Sequence, residues 1–205
     1  MLADQGRSVS HAILPLGAVI SVVTLMRDGR SVESRTVGRE GGFGLLHALG
    51  SRLSYEQVTC QIAGPAYRIS LDALAEAAGK SRDLTRAIVV HAQATLVQSA
   101  QQCACNALHG VDGRLCRWLL LTQDRLGDEV LPLTQEHLSI MLGVQRTTVT
   151  AAALGLQAHG LIAYSRGKIR VLDRAGLMRG ACECYGATES AVQDILAAAI
   201  AGGWR

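Results

Sequence analysis

Leu133-Thr134-Gln135-Glu136-His137-Leu138-Ser139-Ile140-Met141-Leu142-Gly143-Val144 reads as a short helix with a sharp end, and Gln145 to Leu154, QRTTVTAAAL, opens a second one. Thr134 is the N-cap; His137 occupies the place where a capping box would carry an acid or amide, so the reciprocal half is missing. Leu138, Met141 and Leu142 share one face, and Gly143 can take the positive φ that turns the chain. The second helix is polar in its first turns and apolar on an inner face of Val149, Ala152, Ala153 and Leu156. A scaffold helix, a glycine turn and a polar-tipped helix make a helix-turn-helix, which projects the tip of its second helix into a major groove.

The residue types at that tip suit base edges. Arginine pairs with guanine through two hydrogen bonds, glutamine with adenine, and threonine meets a phosphate or a thymine methyl. Gln145, Arg146, Thr147 and Thr150 are therefore the expected base contacts, and Thr134, Gln135 and Thr148 the expected phosphate contacts. Immediately downstream, Leu161–Tyr164, the turn Ser165-Arg166-Gly167-Lys168 and Ile169–Leu172 form a tight hairpin, a wing with two cations at its tip. Arg166 and Lys168 join the phosphate set.

Upstream, residues 13–70 read as short strands separated by turns. Ile20–Met26 is rich in β-branched residues, Asp28-Gly29 is a hairpin turn, and Ser31–Val37 alternates polar with apolar. A glycine run (Gly38, Gly41, Gly42, Gly44) follows, then Val58–Ile62 and Ala66–Ile69 around Gly64-Pro65. Strands at this spacing suggest a small sandwich or barrel. Leu71–Ala78 is a short helix stopped by Gly79, and Asp83–Leu108 is one long helix of about seven turns by its lack of Gly and Pro. On it, Ile88, Thr95, Ser99 and Gln102 mark one stripe, and Val89, Leu96, Ala100, Cys103 and Ala107 a more apolar one. The second admits close approach of another helix, from this chain or from a second copy, and the dimer seam is the favoured assignment. Gly110-Val111-Asp112-Gly113 breaks the helix; Arg114–Leu121 starts the next, anchored by Leu115, Trp118, Leu119 and Leu121. Near the C-terminus, Thr188–Ile200 reads as an amphipathic helix capped by Thr188, with Val192, Ile195, Leu196 and Ala199 on a face that docks on its own domain.

The fold class is α+β: a small N-terminal β-roll or barrel over 1–82, a dimerisation helix over 83–110, and a winged helix-turn-helix with a C-terminal helix over 111–205. A formal charge of +3 permits nucleic-acid binding without demanding it, so the weight falls on where the cations sit. No run approaches the ~18 apolar residues of a membrane span, and no signal-peptide layout opens the chain, which makes the cytoplasm the default. Cysteines 60, 103, 105, 116, 182 and 184 include two Cys-x-Cys pairs but no Cys-x-x-Cys, so they are read as reduced thiols and no metal is assigned. No paired carboxylates and no Ser/His/Asp set argue for an enzyme.

The stretch LPLTQEHLSIMLGVQRTTVTAAALGLQAHGLIAYSRGKIRVLD, with VDGRLCRWLL before it, resembles the DNA-binding domain of the CRP/FNR regulators, and the order upstream is similar to the rest of that family. The resemblance covers nearly the whole chain and is strongest over 111–172. It implies a β-roll sensor domain, a dimerising helix and a winged helix on a palindromic operator, with double-stranded DNA and a second copy as partners and RNA polymerase as a further candidate. Arg146 matches the family's principal base-contacting arginine, Thr147 takes the next recognition position, and Ala151 stands where some members carry another arginine. The family's cyclic-nucleotide members use a Gly-Glu and an Arg-Ser pair; here Gly41-Gly42-Phe43-Gly44-Leu45-Leu46 has no acid, and Leu53-Ser54-Tyr55 has only the displaced Arg52. A buried phosphodiester needs neutralisation, so cyclic nucleotide is not expected and no cofactor is assigned. Its iron–sulfur members carry N-terminal cysteines, and none precedes Cys60 here; His47, His91 and His109 are scattered. The chain enters at what would be the second or third barrel strand, so either the barrel is reduced or the natural start lies upstream. The alternative function is a ligand- or redox-responsive sensor whose DNA binding depends on an effector or partner.

Overall fold

The computed structural model describes residues 1–202; the last three residues of the segment 111–205 lie outside it. β2 (Val19–Leu25) is the centre of a three-stranded antiparallel sheet between β3 (Ser31–Val37) and β4 (Gln57–Ile62), and β1 (His11–Pro15) pairs antiparallel with β5 (Ala66–Ser70). The β-branched run of β2 is buried along most of its length, as a central strand should be. The two sheets enclose Ala12, Ile20, Val22, Val37, Phe43 and Val58. This is the small N-terminal roll expected from the sequence. Its open edge is not bare: residues 2–9 run along β4 and the loop before it, with Leu2 N donating to Val58 O at 2.8 Å and Val9 N to Arg52 O at 2.7 Å.

α1 (Leu71–Lys80) and α2 (Arg82–Leu108) follow without a loop. Gly79 lies inside α1, contrary to the expected stop. The break falls at Ser81, whose extended backbone ends α1 while its Oγ accepts from Leu84 N at 3.2 Å to start α2. Gly113 likewise sits within α3 (Val111–Leu126); the chain turns at His109-Gly110 instead.

The C-terminal core gathers α3, β6 (Val130–Leu131), α4 (Gln135–Leu142), α5 (Arg146–Ala158), the hairpin of β7 (Ile162–Ser165) and β8 (Lys168–Val171), and α6 (Arg174–Gly180) around Leu115, Leu119, Leu138, Val149, Ile169 and Leu177. β6 is an addition to the elements expected from the sequence; two residues pairing with β8 make the wing sheet three-stranded. α7 (Cys184–Ala201) lies along α2. It starts four residues before the expected cap, and Thr188 is internal, its Oγ1 donating to Cys184 O at 3.3 Å.

The two halves meet at a buried polar joint, with a further ion pair from Arg125 of α3 to Glu40 at 2.7 Å. Glu33 of β3 is fully buried; its carboxylate accepts from Ser21 Oγ (2.6 Å), Thr36 Oγ1 (2.8 Å) and Trp118 Nε1 of α3 (2.9 Å). Burial raises the Glu33 carboxyl above its ordinary value of 4.5, and the three donors only partly oppose that. A raised folded-state value means stability that is fully present below 4.5 and lost as pH rises through the folded-state value. Glu33→Gln keeps the shape and removes the titration. Urea midpoints of wild type should therefore decline relative to E33Q as pH climbs from 4.5 and then run parallel; profiles parallel throughout would contradict the assignment.

Candidate nucleic-acid interface

Each expected local device is present at the turn. Thr134 Oγ1 accepts from His137 N at 3.2 Å, so the first turn of α4 is capped. Gly143 adopts φ +63°, and Val144 N donates back to Ser139 O at 3.1 Å, closing the helix in the left-handed manner. A second constraint acts on Gly143: a Cβ there would stand 2.9 Å from Val32 Cγ2 of β3. The helix-turn-helix is thus seated against the N-terminal sheet.

Gln145 is the N-cap of α5 in extended backbone and makes no side-chain cap bond, leaving its amide free. Arg146, Thr147 and Thr148 are exposed. Thr150 is half-buried, and its Oγ1 donates to Arg146 O at 2.9 Å. That hydroxyl keeps a lone pair and a methyl for a ligand but has spent its proton. Beneath the tip, Val149, Ala152, Ala153 and Leu156 are buried as expected. Arg114 of α3 reaches the other side of the turn, donating from Nη2 to Leu142 O and to Asn106 Oδ1.

The wing is a two-residue hairpin with Ser165 paired to Lys168. Arg166 (φ +49°) and Gly167 (φ +73°) both take positive φ, the pattern of a type I′ turn. Arginine rarely adopts that region, so a charge is displayed at the tip at a conformational cost. Arg166 and Lys168 are exposed, while Gln135 is half-buried. The wing tip packs near the start of α4: a Cβ on Gly167 would lie 3.5 Å from Thr134 Cγ2. Thr134 and the wing therefore border one surface. Arg170 of β8 is a further exposed cation on this hairpin. Its alternation in the strand is visible in the sequence, but only the hairpin shows it beside the wing tip.

On α2 the two stripes separate as physics requires. Ile88 is buried, and Thr95, Ser99 and Gln102 are half-buried, facing the rest of the chain. Val89, Leu96, Ala100, Cys103 and Ala107 are all exposed, Leu96 by 70%.

The glycine run packs against α2. His91 Nε2 hydrogen-bonds Gly42 O at 3.0 Å, and a Cβ on Gly41 would stand 2.7 Å from His91 Cε1, so this glycine lets α2 approach the roll. Burial lowers the His91 and His47 imidazoles below their usual range. A cavity of about 290 Å³ lies at the joint of the halves, bordered by Arg35, Arg39, Gln102, Arg117, Asp124 and Arg125. All six cysteines are free thiols, as read from the sequence. Cys60 and Cys103 are exposed, whereas Cys105, Cys182 and Cys184 converge with His109 where α2 ends and α7 begins. No pattern within either Cys-x-Cys pair could show this, because the grouping takes one member of the first pair and both of the second.

Residues 113–179 match the family of the Crp-like helix-turn-helix domain. No curated protein matches the chain by sequence. Among solved structures, TTHB099, a CRP-family transcriptional regulator from Thermus thermophilus, is similar at 19% identity and a TM-score of 0.71, covering 86% of this chain and 90% of that one. FixK2 from Bradyrhizobium japonicum is similar at 17% identity and a TM-score of 0.74, with coverage of 87% and 90%. The c-di-GMP-responsive global regulator CLP of Xanthomonas campestris is similar at 15% identity and a TM-score of 0.68, with coverage of 84% and 89%. The fold is thus similar to that of solved CRP/FNR transcriptional regulators, and the segment 113–179 matches the Crp-like helix-turn-helix domain.

Proposed function

We propose that this chain is a sequence-specific DNA-binding transcriptional regulator that acts in the cytoplasm as a homodimer on a palindromic operator. One observation carries the reading: the exposed tip Gln145–Thr148 and the cations Arg166 and Lys168 stand on adjoining elements with no acidic partner among the described residues. Such a surface positions itself on phosphates and reads base edges. Among the described residues, no helix is long and apolar enough to cross a membrane. No cyclic nucleotide is assigned, because Gly41–Leu46 carries no acid where the family's cyclic-nucleotide members place a glutamate and Leu53-Ser54-Tyr55 has only the displaced Arg52. The cavity at the joint favours a second reading, in which a small polar effector adjusts how the halves sit. RNA polymerase is the further partner of an activator built this way.

Binding to operator DNA is expected to fall steeply as salt rises, by titration at several ionic strengths; salt-independent binding would speak against a phosphate-clamped complex. The homodimer rests on the exposed seam Val89, Leu96, Ala100, Cys103 and Ala107. Leu96→Glu should place two like charges in that seam and turn a dimer into a monomer in sedimentation, with DNA affinity reduced by about a hundredfold or more as the two linked half-sites separate. A variant that stays dimeric would move the seam elsewhere.

A further inference from the structure

We propose that Cys105, His109, Cys182 and Cys184 form a closed four-coordinate site for a divalent transition-metal ion, zinc being the cation that this donor set suits best. The four ligand atoms all lie within 4.8 Å of one another. Cys105 Sγ and Cys182 Sγ are 3.6 Å apart, and Cys184 Sγ is 3.4 Å from His109 Nδ1. Bonds of about 2.3 Å to sulfur and about 2.1 Å to nitrogen, in a tetrahedron, set sulfur–sulfur at roughly 3.8 Å and sulfur–nitrogen at roughly 3.6 Å. The site is already near that size. A multi-iron cluster would spread its ligands over more than one metal and hold them farther apart.

The elements explain the convergence. Cys105 and His109 are four residues apart at the end of α2 and so share a face of one turn. Cys182 and Cys184 frame the start of α7, and Cys182 N donates to Gly113 O at 3.3 Å, holding that segment against α3. Gly113 sits close beneath, its would-be Cβ 3.3 Å from Cys182 N.

The surroundings are those of a ligand set rather than of three ordinary thiols and a lone imidazole. His109 Nε2, the nitrogen turned away from Cys184, lies 3.8 Å from Glu183 Oε1, and Gln101 Nε2 donates to Cys184 Sγ at 2.9 Å. Outer contacts such as that from Gln101 orient the donors of a metal site, and Glu183 stands beside the free imidazole nitrogen without hydrogen-bonding it. Two guanidiniums are buried nearby, Arg114 (6% exposed) and Arg117 (5% exposed). Neither pairs with a carboxylate among the described residues; their partners are Asn106, Leu142 O and Gln102, and the Nε of each has none. Buried charge demands compensation. Three thiolates, one imidazole and a divalent cation carry a net charge of about −1, which supplies it. With all four positions filled by protein, the ion would be structural, tying α7 to α2 and α3.

The test uses the full chain, reduced, stripped of metal and titrated anaerobically with Co²⁺ and then Zn²⁺. Wild type should take up about one equivalent of Co²⁺ with the intense visible bands of a tetrahedral thiolate site, and Zn²⁺ should bleach them. Cys182→Ser and Cys184→Ser should lose the bands, Cys60→Ser should keep them, and His109→Cys should keep them shifted to longer wavelength. Gln101→Ala should weaken binding roughly tenfold to hundredfold. Weak octahedral bands or no uptake by the wild type would overturn the site even if the serine variants failed to fold. So would a Cys105–Cys182 disulfide whose reduction yields no metal binding.

Discussion

Replacing Arg146 by alanine is expected to cost about 1–3 kcal/mol of operator affinity per half-site and to relax selectivity at one base pair of each. Arg146 is the first residue of α5, exposed and without an acidic partner among the described residues. Its guanidinium is the one group at the tip able to make two parallel bonds to a guanine. The loss should be selective: binding to random DNA should change far less than binding to the operator. Lys168→Ala should behave in the opposite way, weakening all sequences alike and lowering the salt slope by about one per half-site. Equilibrium titrations of both variants on operator and scrambled duplexes separate the two patterns. If R146A kept full operator selectivity, α5 would not be the reading element.

The largest effect on stability should come from Trp118. Its indole is buried in the C-terminal core, while its Nε1 donates to Glu33 of the other half at 2.9 Å. Trp118→Ala removes a large core side chain and one of three donors to a buried carboxylate, and should cost about 3–5 kcal/mol. Trp118→Phe keeps most of the packing and loses the donor, for about 1.5–3 kcal/mol because the acceptor is a carboxylate. Urea denaturation measures both. Near-equal losses in the two variants would put the weight on the hydrogen bond; a negligible loss in W118F would show that the joint does not depend on it.

The parts of this molecule that are legible in its sequence are those decided by neighbours in the chain. A threonine cap, an apolar face, a glycine at positive φ and a polar first turn all act within one helix or turn, so residues 134–156 can be read directly. The wing is legible for the same reason, since Arg166-Gly167 between two short β-rich runs admits little else. Helix ends are harder where the usual signals conflict. Gly79 and Gly113 are tolerated inside α1 and α3 because a helical glycine costs only about 1 kcal/mol and packing outweighs it. Thr188 has the look of a cap but is satisfied inside α7. What cannot be read is set by contacts between distant segments. Glu33 stands in an alternating strand as an outward acid; a bulge in the β2–β3 pairing between Val22 and Val23 puts it opposite Val23, and α3 of the C-terminal half then covers it. The cysteine–histidine group, drawn from positions 105, 109, 182 and 184, exists only once α7 returns to the end of α2.

Dimeric, sequence-specific recognition is tested by selecting bound sequences from a random duplex pool with the full chain. The expected result is an inverted repeat whose half-sites are centred about one helical turn, roughly 10–10.5 base pairs, apart, and an R146A pool that loses one position of each half-site. No enriched sequence, or an enriched sequence without the repeat that R146A leaves unchanged, would contradict it.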